Sequence, residues 1–423
     1  MPKKLAEGKT KIIKQDKDPR YVLVESKDDL TAGNGAKHDV VKGKSIISTA
    51  TTCNVFKILK ECDIPVSFVE QVDEKTFRAQ RCDMILYEVV VRRAAHGSSL
   101  KRNPIFEKDQ RFNKLLVEFY LKTSGKKWGN NKLPVDDPYI KVGKNISELY
   151  RPDKPLYAQE PFLTLKDFPL KGKENLVDEM TEIAKKTFLI LEKCWSISGY
   201  KMVDFKIEFG INQEKKLVIA DVIDNDSWRV LGKDGGYLDK QFYRDGGDVN
   251  EVTRRYKRVM ELAGQFSIPE QQIVLWRGSD KDDLAPFYES MKDFGITDAI
   301  EVKIVTCSMH KMAVQGLEEL DNIVYNKPNS VVLAYIGRSN GAGPTLSAHT
   351  HVPVVTVPAG YKNYPADIHS SLRTPSSTPV ATILEPGNAV MFALEVFAYN
   401  NPRIYAELRS RLEERRVNML LLE

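Results

Sequence analysis

The residues with the most chemistry in this chain fall within 201–229, which reads KMVDFKIEFGINQEKKLVIADVIDNDSWR. Val203, Phe205, Ile207 and Phe209 alternate there with Asp204, Lys206 and Glu208. A period of two puts the apolar set on one sheet face and the charged set on the other. A polar loop over 212–216 predicts a turn, and 217–223 predicts a returning strand that carries Asp221 roughly opposite Glu208. One face of this hairpin then gathers acids and a lysine. An acid-rich tail with an arginine follows in Asp224, Asp226 and Arg229. Carboxylates from neighbouring strands are what Mg²⁺ on a nucleoside triphosphate requires. The alternation taken alone is also the pattern of a solvated hairpin with cross-strand ion pairs. The run of acids after the second strand weighs against that plainer reading.

Other segments carry charge at positions suited to phosphates. Gly8-Lys9-Thr10 and Gly43-Lys44-Ser45 look like ends of a P-loop, but the upstream glycine would have to stand at Lys3 and His38. Any ATP site here is therefore of another kind. Glu7-Gly8-Lys9-Thr10-Lys11 still serves phosphates, through a glycine that lets strands bend over a ligand and two lysines; an exposed basic strand has the same composition. Arg92-Arg93, Gly97-Ser98 and Lys101-Arg102 follow a predicted strand. Arginine forks and a Gly-Ser turn bind phosphate or carboxylate, with a basic surface loop as the alternative. His310 comes directly after another predicted strand, where a general acid/base belongs in a parallel sheet. The GRSNGAGP loop over 337–344 is not GxGxxG, so it suits a small anion or a substrate phosphate, or is simply a tight turn. The six histidines are too dispersed for a zinc site.

The elements that must position these residues form two groups. Early strands are predicted over 9–13, 21–25 and 84–92, with helices over 43–61 and 173–195, so the first part reads as α+β. A charged helix over 251–263 is followed by a short polar stretch. Four apolar runs come next, at 273–276, 301–306, 331–336 and 352–357, with helix-length segments between the first three. That is the pattern of a parallel, doubly wound sheet, whose ligands sit beyond the carboxyl ends of the strands. The expected division is a first domain at 1–263, a linker at 264–271 and a second domain at 272–423, the last a three-layer αβα unit.

The whole chain has 423 residues, a net charge of +5, 42% hydrophobic and 29% charged residues, an ordinary globular balance. That charge is too mild for a nucleic-acid binder. The five cysteines form no CxxC pair, which suits a reduced intracellular protein. No stretch reaches the roughly 18 apolar residues of a membrane span. A cytoplasmic protein with no membrane and no nucleic-acid partner is the expectation.

Taken together, EGKTK (7–11), SKDDLTAGN (26–34), GSSLKRNP (97–104), VDFKIEFG (203–210), ADVIDNDSWR (220–229) and DKQFYRD (239–245) resemble a known family. So do the Gly278-Ser279 turn, SMHK (308–311), GRSNGAGP (337–344) and SSLRTPSS (370–377). The chain resembles the bifunctional animal enzymes of de novo purine synthesis that join phosphoribosylaminoimidazole carboxylase to phosphoribosylaminoimidazole succinocarboxamide synthetase. The resemblance runs the whole length. The family's usual GSxSD turn has Lys281 at its second serine here, and its SAHK has Met309.

The resemblance implies two reactions. In the first domain ATP activates the carboxylate of carboxyaminoimidazole ribotide and aspartate displaces the phosphate. Lys9, Lys11, Glu88, Lys206 and Glu208 match ATP-site positions, with Asp221 and Lys206 catalytic and Glu208 and Asp221 on Mg²⁺. Arg92, Ser98, Asp226, Arg229, Lys240 and Arg244 match positions for the ribotide and aspartate. In the second domain CO₂ adds directly to aminoimidazole ribotide, with no biotin. His310 would shuttle the ring proton, and Gly278, Ser279, Asp282, Lys311, Arg338, Ser339, Asn340 and Gly341 would hold the ribotide and CO₂. The family implies a homo-octamer built through the second domain. Two other classes stay open on the sequence: a nucleotide-sensing protein fused to a degenerate enzyme, and a ligase whose second domain serves assembly alone.

Overall fold

The computed structural model describes residues 2–32, 37–143, 146–166 and 175–416. It divides into two compact units, Met1–Ser267 with Arg409–Glu423, and Ile268–Leu408. The described residues Arg409–Arg416 group with the first unit, although they fall within the second domain expected at 272–423.

The first unit opens with β1 (Lys4–Glu7), β2 (Lys11–Gln15) and β3 (Tyr21–Ser26), followed by α1 (Lys44–Glu61), β4 (Phe68–Gln71) and β5 (Thr76–Gln80). These strands form an antiparallel sheet in the order β1-β2-β3-β5-β4. The strand expected over 9–13 starts only at Lys11, because the Gly8 amide donates to the Lys11 carbonyl at 2.9 Å and makes Gly8–Lys9–Thr10 a hairpin turn.

A second antiparallel sheet carries β6 (Cys82–Ala94), β7 (Arg111–Leu121), β8 (Tyr139–Val142), β9 (Ile146–Tyr150), β10 (Leu163–Lys166), then, after α2 (Leu176–Ile197), β11 (Lys201–Asn212), β12 (Leu217–Ala220) and β13 (Trp228–Leu231). The order is β10-β9-β8-β7-β6-β11-β12, with β13 also on β11. The start of the helix expected over 173–195 lies outside the described residues; the described part begins at Leu176. The alternation in β11 survives folding. Phe205 packs edge-on against Phe188 of α2, 5.5 Å between centroids, and Phe205, Ile207 and Phe209 are buried. The opposite face carries the charges. The unit closes with the short helix α3 (Lys240–Arg244) and with α4 (Val249–Ala263).

The second unit is a parallel sheet with helices on both faces. Its elements are β14 (Gln272–Arg277), α5 (Ala285–Asp293), β15 (Glu301–Thr306), α6 (Ala313–Asn326), β16 (Ser330–Ile336), α7 (Ala342–Ser347), β17 (Val354–Pro358), β18 (Ala381–Thr382) and α8 (Pro386–Phe397). The order is β15-β14-β16-β17-β18, with every pair parallel. Alternate residues of β14 enter different cores. Ile273 and Leu275 join Phe287, Met291, Val390 and Leu394, whereas Val274 and Trp276 join Leu320, Val324 and Leu346. This is the expected three-layer αβα arrangement, and β18 is an additional fifth strand too short to show in the sequence pattern.

Candidate active site

The face of β11 that holds Asp204, Lys206 and Glu208 borders a cavity of about 1030 Å³ in the first unit. Every first-domain residue to which the resemblance gives a role lines it: Lys9, Lys11, Glu88, Arg92, Ser98, Lys206, Glu208, Asp221, Asp226, Arg229, Lys240 and Arg244. The register of β11 on β6 explains much of this. Asp204 pairs with Arg92 and Glu208 with Glu88, so two functional pairs come from one ladder. Glu208 lies four positions along the strand from Asp204, or roughly 13 Å, so the two pairs stand well apart on the same wall of the cavity.

Around Glu208 lysines and carboxylates interleave. The Lys206 ammonium donates to Glu88 Oε1 at 2.7 Å and to Glu208 Oε1 at 3.3 Å, and Lys122 bonds the other oxygen of Glu208. Burial disfavours the Glu208 charge, yet Lys206, Lys122 and Lys11 outweigh it and hold the carboxyl below its ordinary value. The same balance, burial overcome by Glu88 and Glu208, keeps Lys206 firmly protonated. Burial pulls Lys11 down to about 8; Glu208 opposes this, and Lys122 and Lys206 reinforce it.

Asp221 reaches this group differently from the expectation. The strand predicted over 217–223 ends at Ala220, and it is Ala220 that faces Glu208. Asp221 leaves the sheet with φ of 72°, a conformation aspartate tolerates better than most residues. Its carboxylate then meets the Lys11 ammonium.

Around Asp204 the partners are arginines. Arg229 Nη1 donates to Asp204 Oδ1 and Oδ2 at 2.9 and 2.7 Å, and Arg92 Nη1 bonds the same carboxylate. Arg92 Nη2 reaches Ser98 Oγ at 3.4 Å. Asp226 accepts from Lys240 Nζ at 3.0 Å and from the Tyr256 hydroxyl at 3.1 Å, with Lys44 Nζ 3.6 Å away. Burial opposes its charge, but Lys44 and Lys240 hold it far below the usual carboxylate range. Arg93 points away from the cavity, to Glu192 and Glu413, both within the first unit.

The sequence reading did not single out Lys122, Asp136 or Asp137, which also line the cavity, nor assign Asp204 a role. Asp204 had a visible signal, since it shares the alternation with Lys206 and Glu208. Lys122 had none: it reaches Glu208 because β7 pairs with β6, which sequence spacing does not show.

In the second unit the Gly278-Ser279 turn closes on Asp282, whose Oδ2 accepts from the Ser279 amide at 3.1 Å. Gly337, at the end of the neighbouring β16, is so close that a β-carbon there would lie 2.7 Å from Asp282 Oδ1. The two loops therefore meet at the carboxyl end of the sheet. Ser339 has φ of 45°, and its amide donates to Asp367 Oδ2 at 3.2 Å. Gly341 donates its amide to the Ser339 carbonyl at 2.7 Å. Asn340 is buried and donates to Ser371 Oγ at 2.9 Å, and its Oδ1 has no partner among the described residues. Arg338 is exposed over the Tyr364 ring, 4.1 Å from its centroid. His310 and Lys311 are exposed after β15, and the His310 ring bonds to none of the described residues.

Comparison with known proteins decides the family. The SAICAR synthetase family model matches residues 4–133 and 154–262, and the AIR carboxylase model matches 272–418. The multifunctional protein ADE2 of Gallus gallus is 35% identical over 97% of this chain and 93% of its own length. The bifunctional phosphoribosylaminoimidazole carboxylase/phosphoribosylaminoimidazole succinocarboxamide synthetase of Homo sapiens is 33% identical over 97% of this chain and 93% of its own. The chain belongs to this bifunctional family.

It is thus an enzyme of purine biosynthesis with two activities, a ligase and a lyase. It carboxylates aminoimidazole ribotide with CO₂, then joins aspartate to the product using ATP, giving the succinocarboxamide ribotide, ADP and phosphate. A crystal structure of phosphoribosylaminoimidazole-succinocarboxamide synthase from Ehrlichia chaffeensis superposes with a TM-score of 0.51 at 24% identity, covering 63% of this chain and all of that one, and shares the fold.

Proposed function

We propose that the first-unit cavity is the ligase site and that its two charged clusters divide the substrates. Lys9, Lys11, Glu88, Lys206 and Glu208 take the ATP; Arg92, Ser98, Asp226, Arg229, Lys240 and Arg244 take the ribotide and aspartate. The observation that carries this is the single ladder of β11 on β6, which puts both clusters on one cavity wall.

Glu208 and Asp221 fit Mg²⁺. Among the described residues no group of three or more histidine, cysteine or acidic side chains forms a cage. Two carboxylates suffice for Mg²⁺, which completes its shell with phosphate oxygens and water. Both carboxylates already attract cations, the ammoniums of Lys122 and Lys11. When bound, Mg²⁺ supplies charge neutralisation at the phosphate oxygens. The chain's own part is then positional. Lys206, kept protonated, faces the charge that develops as the γ-phosphoryl passes to the ribotide carboxylate. In that transfer the P–O bond to ADP breaks and ADP leaves; the aspartate amine then forms the C–N bond, the acyl C–O bond to phosphate breaks, and phosphate leaves with that electron pair and takes up the proton the amine gives up.

In the second unit the Gly278–Asp282 turn and the loop after β16 take the ribotide of the carboxylase reaction. Gly278 and Ser279 hold its phosphate, with Asp282 closing the turn that carries them against the ribotide; Arg338, Ser339, Asn340 and Gly341 enclose the imidazole and CO₂. A C–C bond forms as the ring carbon attacks CO₂, and His310, beside Lys311, carries away the ring proton. No biotin takes part. Assembly as a homo-octamer through this unit is supported by apolar exposure at Ile304 of edge strand β15, and at Met312 and Val314 on either side of the start of α6. A cytoplasmic location is supported by five free cysteines and by the lack, among the described residues, of any helix long and apolar enough to cross a membrane.

The test is a pair of half-reaction assays on the full chain, with Mg²⁺ present and with it chelated. Chelation should stop aspartate ligation and leave carboxylation intact. Ligation that survives full chelation would remove Glu208 and Asp221 from the metal role.

A further inference from the structure

Glu118 is only 3% exposed and does not border the ligase cavity, yet two side chains that do are held through it. It stands on β7 opposite Val90. Its Oε2 accepts from Arg92 Nε at 2.7 Å and from the Tyr120 hydroxyl at 3.2 Å. Its Oε1 accepts from Arg102 Nε at 3.2 Å and is also met by Arg102 Nη2. Arg102 has no exposure at all, and its guanidinium lies 5.3 and 5.6 Å from the ring centroids of Tyr120 and Tyr139.

Arg102 ends the single helical turn Ser98–Arg102, and Ser98 begins it. One carboxylate therefore ties the strand that bears Arg92 to the turn that bears Ser98. Guanidinium–carboxylate bonds are directional, so each fixes the plane of the fork. Arg92 spends Nε on Glu118 and Nη1 on Asp204, which leaves Nη2 aimed at Ser98. An apolar cluster of the same volume is usually at least as stable as a buried ion triad. The ionic choice is better explained by orientation than by stability.

We propose that Glu118 and Arg102 are positioning residues of the ligase: together they hold the Arg92 fork and the Ser98 hydroxyl in one geometry that receives an anionic group of the ribotide. The inference rests on the assignment of Arg92 and Ser98 to the ribotide. Glu118→Gln keeps the volume and removes the charge, and Arg102→Lys keeps the charge and loses the fork. Each raises KM for the carboxylated ribotide by on the order of 10- to 100-fold, the scale of a small misplacement, and leaves KM for ATP and the CO₂ reaction unchanged. The double variant Glu118→Leu with Arg102→Met separates orientation from folding. It regains thermal stability relative to Glu118→Gln, while KM for the ribotide stays high. KM that recovers together with Tm, or KM for ATP that rises in step with that for the ribotide, would show a purely structural triad. Arg92→Lys is the control for the underlying assignment. If it raises the ribotide KM and Glu118→Gln and Arg102→Lys do not, the positioning role alone falls. If Arg92→Lys leaves that KM unchanged, the assignment of Arg92 falls and the inference with it.

Discussion

A β-carbon on Gly97 would lie 2.5 Å from Nη2 of Arg229. The backbone at Gly97 thus forms the floor on which the Arg229 guanidinium rests while Asp204 holds its other nitrogen. The φ of 58° with ψ of −126° at Gly97 is also open to glycine almost alone. Gly97→Ala meets both barriers at once. It should lower stability by about 1–3 kcal/mol, the usual cost of backbone strain, and displace Arg229. Thermal melting and ribotide KM should worsen together, with KM for ATP spared. A variant with unchanged ribotide KM would show that Arg229 adjusts freely and that the close approach is not functional.

Lys11 sets a pH dependence. Burial, with Lys122 and Lys206 beyond it, holds this group down to about 8 in the free protein. A triphosphate bound as proposed, beside Lys11, would favour the ammonium, so above about pH 8 nucleotide binding would take up a proton. The Kd for ATP should therefore rise between pH 8 and 9.5, with a limiting slope of about one log unit per pH unit. The stability of the free protein should move the other way. The unfolded chain keeps this proton up to about pH 10.4, so the contribution of Lys11 to stability rises with pH across that window. Isothermal calorimetry in buffers of different ionisation heat measures the proton uptake directly. Lys11→Met should flatten the profile, and a flat profile in the unaltered enzyme would remove Lys11 from the phosphate site.

What the sequence reveals follows the range of the interactions involved. The charged face of β11 is legible because a period of two survives any tertiary context that keeps the strand half-buried. The parallel sheet is legible from four apolar runs, three of which enter two cores by alternation, while the fourth, at 301–306, is an edge strand that buries Val305 and exposes Ile304. Asp221 is legible by type, but its geometry is not, because the strand stops at Ala220 and a left-handed residue returns the carboxylate to the cavity. Arg102 reads as part of a basic loop, and only the pairing of β7 with β6 shows that Glu118 buries it. Lys122 is hidden for the same reason.

Asp221→Asn should nearly abolish aspartate ligation. In the metal role proposed for Asp221, the amide would not supply the negative charge that Mg²⁺ takes from a carboxylate. It also releases Lys11 from its ion pair, so KM for ATP should change along with turnover. Carboxylation, carried by the other unit, should persist at the unaltered rate. Measuring both half-reactions on the same preparation is the check, and a parallel loss of both would mean that the change unfolds the chain or couples the two units.

His310→Asn should cut carboxylation by on the order of 10²–10⁴, the range for a positioned acid/base group. The side chain is exposed and bonded to no described residue, so folding should tolerate the change, and circular dichroism should not move. Ligation with supplied carboxylated ribotide should continue. A variant that keeps more than about a tenth of the carboxylase rate would place the proton transfer elsewhere.

Lys281 stands in the turn that meets the loop after β16. Asp282 closes that turn by accepting the Ser279 amide, and the Lys281 amide donates to Ser279 Oγ at 3.3 Å. The Lys281 side chain is exposed and takes no part in this closure. The backbone geometry of the turn is therefore independent of the ammonium. The ammonium is a mobile point charge beside a site proposed for a phosphate, and such a charge attracts substrate and transition state alike. Lys281→Ser should accordingly raise the ribotide KM of the carboxylase and leave its kcat nearly unchanged. The effect should shrink with added salt, because an exposed charge is screened over a Debye length of about 8 Å at physiological ionic strength. Steady-state kinetics at low and high salt measure both quantities. A fall in kcat with KM unaltered would instead place the lysine at the reacting atoms, and an increase in carboxylation on Lys281→Ser would show that the ammonium obstructs the site.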